Sequence, residues 1–306
     1  MAAGPRLVLA PVLYHWPAGR LRDFYFRIAD EAPVDIVHLG EIVCAKRLPR
    51  IAQVWDEVTP RLEAAGKAVV RSTLALASEP RDLELVRAVA TAGEGIVEAN
   101  DLSALSLLAG RPHVVGPYVN VYNEMTLAAL AEDGAVRVCL PVELPLSAVR
   151  TLAACGSAAI EVQIFGRMPL ALSARCYHAR SRGRSRDSCH YACGEDADGM
   201  AVATLDGQPF LAVNGLQTLS FAYLEASHHL ATLSEAGVSF FRLQPQTVDM
   251  VAVARVYRQL LDHALEPGAA RARLAQICHG IAFADGYLDG GPGMMDGSRN
   301  PRTGRG

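Results

Sequence analysis

The sequence is short of most signals by which a function is usually read. No apolar run is long enough to cross a bilayer, and the opening Met1-Ala2-Ala3-Gly4-Pro5-Arg6 lacks the charged start, long apolar centre and cleavage site of a secretory signal. Both absences lead to the expectation of a cytoplasmic protein with no transmembrane segment. Charge of neither sign is in excess: 29 Lys and Arg stand against 32 Asp and Glu, for a net charge of -3, which leaves no basic footprint for nucleic acid. There is no Gly-x-Gly-x-x-Gly turn, no phosphate-cradling loop ending in Lys-Ser/Thr, no His-Glu-x-x-His helix and no nucleophile elbow. The Cys-x3-Cys-x2-Cys signature of radical enzymes built on S-adenosylmethionine is missing as well. The seven cysteines are an odd number in a chain expected in a reducing compartment, which argues against a disulfide framework and leaves buried thiols and metal ligands.

What is present is rhythm. The apolar run Leu7 to Tyr14 precedes a helical stripe of Leu21, Phe24, Tyr25 and Ile28, and Val34 to Leu39 precedes a second stripe of Ile51, Val54, Trp55, Val58 and Leu62 closed by Gly66. Strands are predicted over 68–74, 95–98, 113–118, 136–140 and 159–164, with helices between them, two of them capped by Asp101 and Asn123. Such alternation implies right-handed βαβ units around a parallel sheet. With a last strand over 238–243 and a helix over about 247–265, the main series counts eight strands, which predicts a (β/α)8 TIM-barrel-like fold; an open doubly wound sheet is the alternative. At 306 residues the chain exceeds the usual size of one core, but α/β barrels are a familiar exception. The expected organisation is one barrel domain over 1–288 with an insertion after strand seven, at about 165–235, and a flexible Gly-rich tail over 289–306. Within the insertion, 199–204 and 210–213 read as a hairpin across Asp206-Gly207.

The insertion also carries Cys176, Cys189 and Cys193 in a segment rich in Ser, Gly and Arg, too polar to bury thiols against its own apolar side chains. Cys44 follows the second strand and a Gly-Glu turn, so it and Cys176 both emerge at the carboxyl edge of the sheet, where α/β sites are built. Four thiolates satisfy either a tetrahedral zinc or a [4Fe-4S] cluster. Zinc sites favour short paired spacings, whereas a lone early cysteine and a gap of thirteen positions, from 176 to 189, suit a cluster gathered from separate loops. Cys139 and Cys155 read as small core residues, and Cys278 leans the same way.

Arginines crowd the same region. Arg180 to Arg186 read as a solvated loop whose charge offsets a thiolate-ligated cluster, while Arg47 and Arg175, each near a ligand cysteine, read equally as anion contacts. At the predicted mouth stand Glu41, Arg71, Ser72, Thr73, Glu98, Asn120 and Glu143, of which Glu143 is the strongest free acid. His15, His38 and His113 read as structural histidines at strand ends. No residue is assigned a catalytic role.

Several stretches together resemble the U32 peptidase-like family: Ala10-Pro11-Val12-Leu13-Tyr14-His15-Trp16-Pro17, Leu39-Gly40-Glu41-Ile42-Val43-Cys44-Ala45-Lys46-Arg47, Cys139-Leu140-Pro141-Val142-Glu143-Leu144, Ser173-Ala174-Arg175-Cys176-Tyr177 and Asn214-Gly215-Leu216-Gln217-Thr218. Within that family the likeness is to the branch working in oxygen-independent ubiquinone biosynthesis. The resemblance implies a [4Fe-4S] cluster on Cys44, Cys176, Cys189 and Cys193, a UbiU-like paralogue as heterodimer partner, a UbiT-like lipid carrier in the same pathway, a quinone precursor as substrate and prephenate as oxygen donor. It would make the chain a subunit of a complex that hydroxylates an aromatic ring without O2. Two other readings compete: a U32-type peptidase or hydrolase, for which no nucleophile, base and orienter stand out, and a non-catalytic scaffold whose metal ties the insertion to the barrel.

Overall fold

Strand and helix alternate from the first described residue onward. The computed structural model describes residues 4–93 and 95–295. Its elements run β1 (Arg6–Leu9), α1 (Ala18–Glu31), β2 (Ile36–Leu39), α2 (Leu48–Ala64), β3 (Ala68–Ser72), α3 (Pro80–Ala90), β4 (Val97–Ala99), α4 (Leu102–Leu108), β5 (His113–Val115), α5 (Glu124–Glu132), β6 (Ala135–Cys139) and α6 (Leu146–Ala154). They continue with β7 (Ala159–Leu172), α7 (Tyr177–Ser181), β8 (Met200–Ala203), β9 (Pro209–Asn214), β10 (Gln217–Glu225), α8 (Leu230–Glu235), β11 (Phe240–Leu243), α9 (Met250–Leu261), α10 (Pro267–Ile277) and β12 (Phe283–Ala284).

Strands β1 to β7 pair in chain order, and β11 pairs in parallel with both β1 and β7, which closes an eight-stranded parallel barrel. This is the predicted (β/α)8 architecture. Alternate strand residues face opposite ways, so Leu7, Leu9, Val37 and Leu39 join the main core with the inner faces of α1 (Leu21, Tyr25, Ile28) and α2 (Ile51, Val54, Val58, Leu62). Val8, Ile36 and Val70 form a separate small cluster with Phe240 inside the barrel. That interior patch is small because charged side chains occupy the layer above it. No described helix is long and apolar enough to cross a membrane.

The departure from a plain barrel begins in β7. The strand expected over 159–164 is longer than that, and the insertion starts later than 165: β7 bends at Gly166, whose φ is +99°, and continues to Leu172, with β10 paired antiparallel to its far half. Pro169 is tolerated because this arm lies outside the barrel ring. Strands β10, β9 and β8 complete an antiparallel sheet projecting from the ring, and the β8–β9 hairpin spans the predicted Asp206-Gly207 turn. After β12 the chain folds back, and Asp285 N donates to Met295 O at 3.0 Å. The rest of the expected tail, residues 296–306, lies outside the described residues.

Candidate functional site

Cys44 is presented by a turn that only glycine can begin. Gly40 has φ +153°, and a Cβ there would stand 2.4 Å from the backbone oxygen of Ser72. The buried Glu41 then folds over its own loop, its Oε1 accepting from Val43 N at 2.7 Å and Cys44 N at 2.9 Å. Burial pushes the Glu41 carboxyl up, while Arg47, at 3.8 Å, works against this.

The other three cysteines come from the insertion. Cys176 caps α7, and its Sγ accepts from Ala179 N at 3.4 Å. His190 and Tyr191 are successive non-glycine residues in the left-handed region, at φ +46° and +56°, and the bend aims Tyr191 N at Cys189 Sγ, 3.4 Å away. Cys193 sits on the single turn Ala192–Gly194. Cys44, Cys176, Cys189 and Cys193 line one small pocket with Arg47 and Arg186. Thiols carried by β2–α2 and by the insertion thus converge across the barrel mouth.

The two arginines have different roles. Arg47 is 1% exposed; its Nη1 donates to Leu13 O at 2.7 Å and its Nη2 to Asn214 Oδ1 at 2.9 Å, while its buried Nε has no hydrogen-bond partner. Burial works against this cation, but Cys193, Glu41 and Cys44 more than offset that and keep it charged. Arg186 clamps the insertion to α3, reaching Glu79 at 3.1 Å and the buried Asp82 at 3.3 Å, while Lys46 Nζ donates to Arg186 O at 2.9 Å. His15 packs on the Tyr191 ring at 5.4 Å and is held to about 4, first by burial and then by the Arg47 and Arg50 cations. Burial pushes the Cys44 and Cys176 thiols up, and Arg47 and the Ala179 N–H respectively counter it.

This donor set fits an iron–sulfur cluster: four soft sulfur ligands, backbone N–H groups directed at two of them, and cations to balance thiolate charge. Among the described residues, the group of three or more His, Cys, Asp or Glu whose ligand atoms lie within 4.8 Å of one another is His38, Glu98 and Glu161, not the cysteines.

A second constellation fills the barrel. His38, Glu98, Arg137 and Arg242 come from the second, fourth, sixth and eighth barrel strands and make one layer of the interior. Arg242 Nη1 reaches Glu98 Oε1 at 2.6 Å and Glu161 Oε1 at 2.7 Å. Arg137 stacks on the Phe240 ring at 4.7 Å, and its Nε lies 3.0 Å from Glu161 Oε2 without hydrogen-bond alignment. Arg137 Nη2 stands 2.9 Å from His38 Nε2, and because guanidinium only donates, that nitrogen accepts. The proton of a neutral His38 is therefore on Nδ1, 3.2 Å from Glu98 Oε2. Burial lowers the His38 pKa, which favours the neutral ring. Burial would raise Glu98, but Arg242 overrides it and holds the carboxyl well below the usual range. The Arg242 guanidinium stands where a cation between Glu98 and Glu161 would have to sit.

Of the other residues singled out in the sequence, Asp101 and Asn123 cap α4 and α5. His38 is a member of the charged layer rather than a simple strand-end residue, and Arg175 is exposed and outside the cysteine pocket. Cys139 is buried, but it faces the charges of Glu161 and Arg242. Cys155 is exposed at the end of α6, not in the core. Arg137, Glu161 and Arg242 were not anticipated; the available signal was one charge at the centre of each otherwise apolar strand.

The sequence model of peptidase family U32 matches residues 27–296. Among solved structures, the chain is similar to the U32 peptidase Mk0906, with 13% identity, a TM-score of 0.45 and coverage of 80% of this chain and 95% of that one. It is also similar to dihydropteroate synthase from Xanthomonas albilineans in complex with 7,8-dihydropteroate, at 13% identity and TM-score 0.44, covering 87% and 96% of the two chains. The YdjI aldolase from Escherichia coli K12 matches at 10% identity and TM-score 0.42, with 89% of each chain covered.

Proposed function

The chain belongs to peptidase family U32, and from that premise we propose that it is a UbiV-like [4Fe-4S] protein, the cytoplasmic partner of a UbiU-like paralogue in O2-independent hydroxylation of a quinone precursor. The observation that carries this reading is the convergence of Cys44, Cys176, Cys189 and Cys193 on one pocket beside the buried Arg47 cation. When bound, the cluster supplies a one-electron redox centre. The chain's own residues hold and insulate it. Glu41 shapes the Cys44 loop, Ala179 and Tyr191 direct N–H groups at sulfur, and Arg47 and Arg186 balance charge.

Anaerobic purification tests the reading directly. The protein is expected to be brown and to hold about four iron and four sulfide per chain. Serine at any one of the four positions should lower iron sharply, whereas Cys155→Ser should leave it unchanged. Co-expression should recover the UbiU-like partner in a stable complex, and a deletion strain should lose quinone made without O2. A colourless, zinc-loaded protein would overturn the proposal.

A further inference from the structure

Segment 173–194, which carries three of the four cysteines, holds five arginines against one acid, Asp187, in a chain whose net charge is -3. Its positive charge is not used up within the pocket. Lys46, Arg47 and Arg186 line the pocket itself, and Arg182 pairs with Glu195 at 3.0 Å. Arg175, Arg180 and Arg184 are exposed, and none of the three has a carboxylate partner among the described residues.

These cations stand around the opening of the pocket. Arg184 Nη1 reaches Cys189 O at 3.5 Å, Arg175 directly precedes Cys176, and Arg180 lies on the short α7 that Cys176 caps. Arg50, exposed on α2, joins them from the barrel side: its guanidinium lies 3.9 Å from the centroid of the Tyr191 ring, and Tyr191 lines the pocket. Cys44, Cys176 and Cys189 are partly exposed, so the pocket reaches the surface here. Arg22, Arg27 and Arg61, also exposed on α1 and α2, are by contrast each paired with a carboxylate.

Unpaired guanidiniums on a wet surface add little stability, and they repel one another. Their summed field instead steers an acidic surface towards the cysteines. Because the four are carried by two separate parts of the chain, α2 and the insertion, they form a broad charged face that suits a protein surface. A one-electron centre also needs a donor that docks and leaves repeatedly, and transient redox pairs use small contacts.

We infer that Arg50, Arg175, Arg180 and Arg184 form the docking surface for an acidic one-electron carrier protein that reduces the centre held by the four cysteines. One electron leaves the carrier and one reaches that centre; no bond forms or breaks and no proton moves. The inference rests on the redox reading above for the electron, and on the charged face alone for the docking.

The test is a calorimetric titration of the anaerobically purified full chain, with iron and sulfide assayed on the same samples. Flavodoxin, an acidic flavin carrier, is the probe; cytochrome c, a basic haem carrier, and phosphatidylglycerol vesicles are the comparisons. Flavodoxin should bind, and raising the salt from about 0.02 M to about 0.2 M should weaken it roughly tenfold. Arg180→Glu combined with Arg184→Glu should weaken it by a similar roughly tenfold factor with iron retained, whereas Arg184→Lys should bind like the wild type. Arg180→Glu alone, at a side chain with no ion pair among the described residues, should also weaken binding and guards against a disturbed Cys189 loop. An iron-loaded protein that does not bind flavodoxin, binds it regardless of salt and charge reversal, or binds cytochrome c or the vesicles as tightly would overturn the inference and leave the redox reading intact. Salt-dependent docking on an iron-free chain would overturn the redox reading and leave the acidic-protein surface standing.

Discussion

Arg242 Nη1 donates to Glu98 Oε1 at 2.6 Å in the middle of a barrel that admits neither residue to solvent. The same nitrogen holds Glu161 Oε1 at 2.7 Å, so one cation bridges two buried carboxylates and Arg137 supplies the second positive charge. Arg242→Met would keep the volume and leave an excess buried negative charge. Breaking such a pair costs about 3–5 kcal/mol. Urea unfolding should show a loss of that size, and adding Glu98→Gln should recover part of it. Equal stability of Arg242→Met and the wild type would mean that the layer does not act as one electrostatic unit.

His38 gives the layer a pH dependence with a defined sign. Burial holds its pKa below the ordinary 6.5, so the unfolded chain takes up a proton there that the folded one does not. Stability is then complete above about pH 6.5 and falls as pH drops towards the folded value, by at most about 1.4 kcal/mol per pH unit. Glu98 and Glu161, depressed from 4.5, lose their contribution in the same direction but only at lower pH. His15, held to about 4, also moves the same way, so the comparison must be with a variant. His38→Gln can still accept from Arg137 and donate to Glu98 without titrating. Its urea midpoint should change less than that of the wild type between pH 7.5 and 5.5, and parallel changes would rule His38 out.

Arg186 makes a prediction about the insertion alone. Its guanidinium bonds the nearly buried Asp82 and the more exposed Glu79, tying the cysteine loop to α3. Arg186→Gln should release the loop at a cost of about 2 kcal/mol, a value reduced from that of a fully buried pair. Limited trypsin digestion should cut faster within 180–190, while global unfolding changes little. Unchanged digestion would show that other contacts hold the loop.

These outcomes depend on features of unequal visibility in the sequence. The ring of eight strands was legible because each apolar run is followed by a helix with one buried stripe, as in β2 and α2. Strand β10 is hard to read in the sequence although Asn214-Gly215 gives a turn signal between two strand-like runs; its alternation, with Ser220 and Glu225 buried, does not look like a core strand. The four cysteines stood out because polar sequence surrounds three of them. Arg137, Glu161 and Arg242 could not be placed, since a single charge in a strand reads equally as facing solvent, and only closure of the ring turns it inward.

The position of Arg47 can be tested without touching a cysteine. Gly215 has φ +63°, and a Cβ there would stand 2.7 Å from Arg47 Nη2. Gly215→Ala therefore adds a backbone cost of about 1–2 kcal/mol and also pushes the guanidinium off Asn214 Oδ1. Gly207, at φ +82° with nothing within 4 Å of its Cβ position, supplies the matched control. Gly207→Ala should lose stability but keep its iron, whereas Gly215→Ala should lose stability and bind iron substoichiometrically with all four thiols intact. If both variants retain iron equally, Arg47 does not support the cluster, and its burial against Cys193 and Cys44 is a packing feature of the insertion.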